Sequence, residues 1–437
     1  MVDYTSQIQE AYSEALHITE EDSLVIKLIL GAATAQHLGV RTELLWLVII
    51  GPPASGKTTL LNPLIACQDL VVSRDDCTGN AMISASDPEG LRVKARAAGE
   101  EDIHDPSLVN LLHGKLFVIK DLTLLLNRKD EADRFWGYMR AAYDGRLEKH
   151  SGTVGSQIIE DIRFGFIAGT TDGSVEGSLI RMAKLGERAI YIRMQQDPTT
   201  ISQDANVGVR MLHNRGIQHE FETELNRRVI FIFKRAIKQV RRWGPSSPGM
   251  HDPKVLLRVI HLASALSKMR TVPEKDTQIP HERNPRTVKQ FGTLCDAIAI
   301  CSGRRKWTME DADLCLQVVR GSISSKMRLL FDFVCTRSFW DDPTRWPTAY
   351  TAAKAIGSFH QSNVENQLRQ WANSGLLRFD SNKRFYMPKE LLKHYVEIGV
   401  VLKPKRGVRS KARRRKGITL AQLEGHKVLP RKRKAEE

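Results

Sequence analysis

Residues 44–61, LLWLVIIGPPASGKTTLL, constrain the chain most. The apolar run 44–50 reads as a strand buried on both faces of a parallel sheet, with a loop and then a helix behind it. That loop, Gly51-Pro52-Pro53-Ala54-Ser55-Gly56-Lys57-Thr58, fits G-x-x-x-x-G-K-[ST] at every fixed position. Its glycines let backbone N–H groups wrap phosphates, Lys57 reaches the β- and γ-phosphates, and the Thr58 hydroxyl ligates Mg²⁺. Thr59 completes the binding set. The flanking strand and helix separate the motif from a chance Gly/Pro turn, so ATP with Mg²⁺ is the expected ligand.

A second signature follows at residues 115–121, KLFVIKD, an apolar strand ending in an acid. Asp121 at that end would hold a Mg²⁺-bound water across from Thr58; the plainer reading is a turn residue that stops the strand. Many hydrolytic ATPases place a Glu directly after this acid, whereas here the position is Leu122. Glu131 and Asp133 lie downstream with nothing to place them near a phosphate, so the catalytic base is unassigned. A further buried strand, residues 164–169, ends in Thr170-Thr171-Asp172. A small polar residue there would stand between the phosphate loop and the metal acid, where it could orient water.

A chain of 437 residues exceeds one core, so several domains are expected. The expected division is a helical segment over 1–42, a nucleotide-binding core over 43–200, a helical connector over 201–252, a helical lid over 253–324, a winged helix over 325–395 and a basic tail over 396–437. Within the first segment, Thr19-Glu20-Glu21-Asp22 resembles a capping box. Residues 144–155 suit a hairpin. Residues 220–243 make a long amphipathic helix, and residues 244–249, GPSSPG, read as an interior linker.

Three helical stretches after residue 325, then two short alternating runs around Asp380-Ser381-Asn382, spell a winged helix. Its third helix would present Asn363, Asn366, Gln367 and Arg369 to a DNA groove, with Lys383 and Arg384 of the wing on the backbone. Such modules also bind proteins. Charge supports the nucleic-acid reading: residues 403–437 hold 14 Lys/Arg against 3 Glu, so +11 of the net +16 lies in the tail. The six cysteines form no C-x-x-C pair, which suits buried thiols in a reducing compartment. No apolar run approaches the roughly 18 residues of a membrane span, and the first residues lack a signal-peptide pattern. A cytoplasmic, nucleoid-associated protein is expected, with no membrane partner.

The order of these signatures resembles the AAA+ ATPases, most closely the branch with a hairpin before the sensor-1 strand, that of the MCM helicases. The likeness runs over residues 44–195 and again over 253–325. It implies an α/β P-loop AAA+ core with a parallel sheet, a helical lid and a C-terminal winged helix. It also implies a homo-oligomeric ring, a hexamer, in which Arg188 is the arginine finger for a neighbour's site; Arg181 and Arg193 are the alternatives. Thr171 would take the sensor-1 place and Arg286 the sensor-2 place on the γ-phosphate. Residues 143–158 would form the pore hairpin, with Lys149 touching DNA. The plainer readings are a strand-edge charge for Arg188, a helix-start ion pair for Arg286 and a solvated hairpin cation for Lys149. Leu122 departs from the pattern, as does the lack of the large N-terminal DNA-binding and zinc region of MCM. The expected function is an ATP-driven DNA helicase or translocase in replication or mobile-element maintenance. The alternatives are an ATP-switched helicase loader or transposition regulator, or a transcription regulator.

Overall fold

The computed structural model describes residues 2–402 except 17, 40–41, 54, 84–106, 152–154, 175–187, 195–217, 271–284, 324, 341 and 358–359. Ala54, Arg181, the hairpin tip and the basic tail from 403 onward therefore lie outside the described residues. In chain order, α1 (Tyr4–Ala15) and α2 (Glu20–Ala35) precede β1 (Trp46–Ile50) and α3 (Lys57–Ile65). Next come β2 (Val71–Ser73), the short α4 (Gly79–Met82) and α5 (Leu108–Leu112), then β3 (Leu116–Ile119). α6 (Thr123–Asn127) and α7 (Lys129–Tyr143) lead to a hairpin of β4 (Leu147–Ser151) and β5 (Gly155–Ile159). The sheet is completed by β6 (Gly165–Thr170) and β7 (Ala189–Arg193).

Five strands pair in parallel in the order β2-β3-β6-β1-β7. The apolar run becomes the strand between β6 and β7, and every residue of β1 is buried. Alternation along β1 divides the core. Leu45, Leu47 and Ile49 join one apolar cluster with α1, α2 and α3, while Leu44, Trp46, Val48 and Ile50 join a second with α6 and α7. A parallel strand covered by helices on both faces has no polar side to show, which is why its sequence does not alternate. Thr19 and Asp22 form the capping box reciprocally, Asp22 N–H donating to Thr19 Oγ1 and Thr19 N–H to Asp22 Oδ2.

The rest is mostly helical: α8 (Gln218–Trp243), α9 (Pro253–Met269), α10 (Pro285–Cys301), α11 (Met309–Gly321), α12 (Ser325–Ser338), α13 (Ala349–Ile356) and α14 (Gln361–Asn373). An antiparallel ribbon, β8 (Arg378–Phe379) and β9 (Phe385–Tyr386), and a last helix, α15 (Lys389–Glu397), close the described chain.

Residues 1–401 form one compact unit, and contacts cross the expected boundaries within it. The apolar stripe of α8 packs into the core. The helix packs on α1, α3 and α10, and Arg228 pairs with Glu14 while Lys234 pairs with Asp69. The expected linker is likewise held, since Ser246 Oγ donates to Asp296 on α10. Trp371 of α14 is fully buried and its indole N–H donates to Met269 O of α9, so the C-terminal helices share one core with α9. Ile398, Val400 and Val401 are buried, and Arg320 and Arg328 donate to the Gly399 and Val400 carbonyls.

Candidate functional site: the phosphate loop and the strand ends

Gly56 caps α3 at φ 82°, the left-handed region that glycine enters without a Cβ penalty, and so turns the loop into the helix. Lys57, only 8% exposed, folds its ammonium back over the loop. It donates to Gly51 O at 2.9 Å, Pro52 O at 2.7 Å and Ser55 Oγ at 3.1 Å. Burial pulls the Lys57 pKa down, against the opposing charges of Asp121 and Asp172. Both hydroxyl-bearing residues behind it, Thr58 and Thr59, are exposed.

Strand order brings the other candidates to the same edge. The loop leaves the carboxyl end of β1, Asp121 follows β3, and Thr171 follows β6, the strand between them. A run of short contacts joins the last two. Asp121 Oδ1 accepts from Thr123 N–H at 2.8 Å, Ser174 Oγ lies 3.3 Å from Thr123 Oγ1, and Thr171 Oγ1 lies 2.9 Å from Ser174 Oγ. Thr58 and the exposed Asp121 are hard oxygen donors, the type Mg²⁺ takes when phosphates and waters supply its remaining ligands. Among the described residues no group of three or more His, Cys, Asp or Glu could hold a metal alone.

The residue after Asp121 points the other way. Leu122 is fully buried in the second apolar cluster, so no catalytic group acts from that position. Glu131 is engaged elsewhere, accepting from Gly79 N–H at the start of α4.

Arg188 and Arg286 come together at the amino end of the sheet. Arg188 immediately precedes β7, whose first residue pairs with Trp46, the first of β1. Its guanidinium, 9% exposed as a residue, binds Asp144 at 2.6 Å and lies 5.8 Å from the Tyr143 ring centre. Arg286 lies at the same distance from that ring, 3.6 Å from Glu43 and 3.9 Å from Asp144. Beneath them the Tyr143 hydroxyl donates to Leu44 O and accepts from Gln290, which also donates to Arg188 O. Burial, then Glu43, pushes the Tyr143 pKa up. A cleft of about 750 Å³ opens here, lined by Gln36, Glu43, Tyr143, Asp144, Arg146 and Arg163 among others. Arg286 thus stands at the amino end of the strands, whereas the phosphate loop leaves the carboxyl end of β1.

The DNA-contact candidates divide. Asn363 and Asn366 are exposed on α14, and Lys383 is exposed in the ribbon turn at φ 55°. Gln367, by contrast, is buried. Arg369 is bound by Glu365 through two nitrogens, at 3.0 and 2.7 Å, and Arg384 donates to Pro343 O. Lys149 stands mid-strand opposite Gln157, its ammonium donating to Ile83 O at 3.0 Å.

Sequence reasoning gave no role to Gln290 or Glu43, placed Tyr143 and Asp144 only in the expected pore hairpin, and did not pair Asp172 with Arg193. Asp172 carried a signal as an acid two residues beyond a buried strand, and Arg193 as an alternative arginine finger. Set against known proteins, the chain matches no protein-family model, and no curated protein matches its sequence. The fold is of the α/β class, with a five-stranded parallel sheet compatible with a P-loop core. Among the described residues, no helix is long and apolar enough to cross a membrane.

Proposed function

We propose that the chain is an AAA+-type ATPase that works on DNA, an MCM-like helicase or translocase of the cytoplasm and nucleoid. One observation carries the reading: the phosphate loop, Thr171 and Asp121 follow three adjacent parallel strands in the order β1, β6, β3. Phosphate oxygens accept from an ammonium more strongly than carbonyls do, so ATP draws Lys57 off Gly51 and Pro52. Thr58 and Asp121 would hold the Mg²⁺, which would supply positive charge against the phosphates. Thr171 and Ser174 extend the hydroxyl row between loop and acid.

The two arginines supply the argument for a ring. Arg188 and Arg286 stand roughly 16 Å of strand away from their own loop. Spread γ-phosphoryl charge is stabilised by arginine, so both are read as serving a neighbouring subunit in a homo-oligomer, a hexamer by family likeness. Arg188 exchanges Asp144 for the neighbour's phosphate. Helices α12–α14 with the β8–β9 ribbon are read as a winged helix that offers Asn363, Asn366 and Lys383 to DNA, with the +11 tail on phosphates. Burial of Leu122 favours one second reading, a DNA-bound nucleotide switch with slow turnover, such as a helicase loader or transposition regulator.

ATP turnover with and without single- and double-stranded DNA tests the proposal. Lys57→Ala and Arg188→Ala should each lose at least about 100-fold in rate, and an equal mixture should regain part of it. Arg188 turnover at the wild-type rate after substitution would refute the shared site.

A further inference from the structure

We infer that Asp172, held by Arg193, is the carboxylate that orients the attacking water, a task Leu122 cannot perform. The inference rests on the ATPase reading and names the group that reading lacks.

Among the described residues, four acids follow the carboxyl ends of the strands. Asp75 and Asp76 follow β2, an edge strand two places from β6, and are engaged by Lys120 at 2.8 Å and Arg128 at 2.9 Å. Asp121 is the acid that would serve the metal in the ATPase reading. Among the described residues Asp172 alone follows β6, one of the two strands paired with β1, and its charge acts on Lys57 as that of Asp121 does.

The Asp172 carboxylate is oriented by one oxygen and open at the other. Oδ1 accepts from Arg193 Nε at 2.9 Å, while Oδ2 has no hydrogen-bond partner among the described residues. The Asp172 side chain is 41% exposed against 7% for Arg193. Arg193 is itself immobilised, because Nη1 donates to Ile323 O at 2.7 Å and to Gly321 O at the end of α11. A helix C-terminus and an anion thus fix one guanidinium, and that guanidinium fixes the acid.

Phosphoryl transfer asks little of a base beyond position. Asp172 accepts a hydrogen bond from the water. The water oxygen bonds to the γ-phosphorus as the bond to the β,γ-bridging oxygen breaks, and ADP keeps that electron pair. One water proton stays on the new phosphate and the other passes to solvent.

The competing role is structural: Asp172 merely neutralises a buried arginine. Asp172→Asn separates the two, since the amide oxygen still accepts from Arg193. The measurements are ATP affinity, kcat and melting temperature of this variant, of Asp172→Glu and of Arg193→Lys. Expected for Asp172→Asn is a kcat loss of about 100-fold or more with ATP affinity within about threefold of wild type. Asp172→Glu should recover part of kcat, and Arg193→Lys should lower kcat more than affinity. Unchanged kcat in Asp172→Asn overturns the inference, as does a joint fall of affinity and melting temperature. ATP binding without turnover by the wild type also overturns it, while sparing the nucleotide site. No ATP binding at all would overturn the ATPase reading itself.

Discussion

Single residues at the strand ends show how local grammar and long-range pairing differ. His37 is a measurable case. Its Nδ1 faces Arg241 Nη2 at 3.2 Å, a contact that needs the neutral ring. Burial first, then Arg241 and Arg163, lower its pKa to about 4 from the ordinary 6.5. A depressed folded-state pKa means that acid favours the unfolded chain. The stability is complete above pH 6.5 and drains away as pH falls towards 4. Melting temperature should therefore drop across that window, and His37→Gln should make the drop shallower. Lys57, Thr58 and Asp121 were legible because a motif or a strand end specifies them within a few neighbours. The Arg193–Asp172 pair and the Tyr143–Gln290 bond were not, because the latter's partners lie 147 residues apart and meet only through the sheet's topology.

Elements were legible where one periodicity dominated. The strands expected at 44–50, 115–121 and 164–169, the hairpin and the long helix at 220–243 fall within a few residues of their expected places, since apolar runs mark them. What the pattern did not give was the partner of each face. α8 has an apolar stripe that suits a free connector as well as a packed helix; only the fold shows α1 and α3 against it. The crossing of α2 and α10 makes a prediction at this scale. A Cβ on Gly31 would sit 2.7 Å from Ile298 Cγ1, so Gly31→Val should destabilise by about 1–3 kcal/mol, read as a lower urea midpoint. Gly137 is the control with the opposite sign. It is exposed within α7 with nothing near its missing Cβ, so Gly137→Ala should add about 0.5–1 kcal/mol.

For the whole molecule, the compact unit ends at Val401 and most of the positive charge follows it. Two truncations separate folding from DNA affinity. Ending the chain after Leu402 should leave the melting temperature unchanged, weaken DNA binding and flatten its salt dependence, because fewer cations release counterions. Ending it after residue 395 also removes buried Ile398, Val400 and Val401, and should cost about 3 kcal/mol or more of stability. The account as a whole stands on the loop at Lys57, so equilibrium binding of ATP with Mg²⁺ tests it most directly. Wild-type protein should bind ATP, and Lys57→Ala should bind at least about 100-fold more weakly at an unchanged melting temperature. Equal affinity in the two proteins, or none in either, would contradict it.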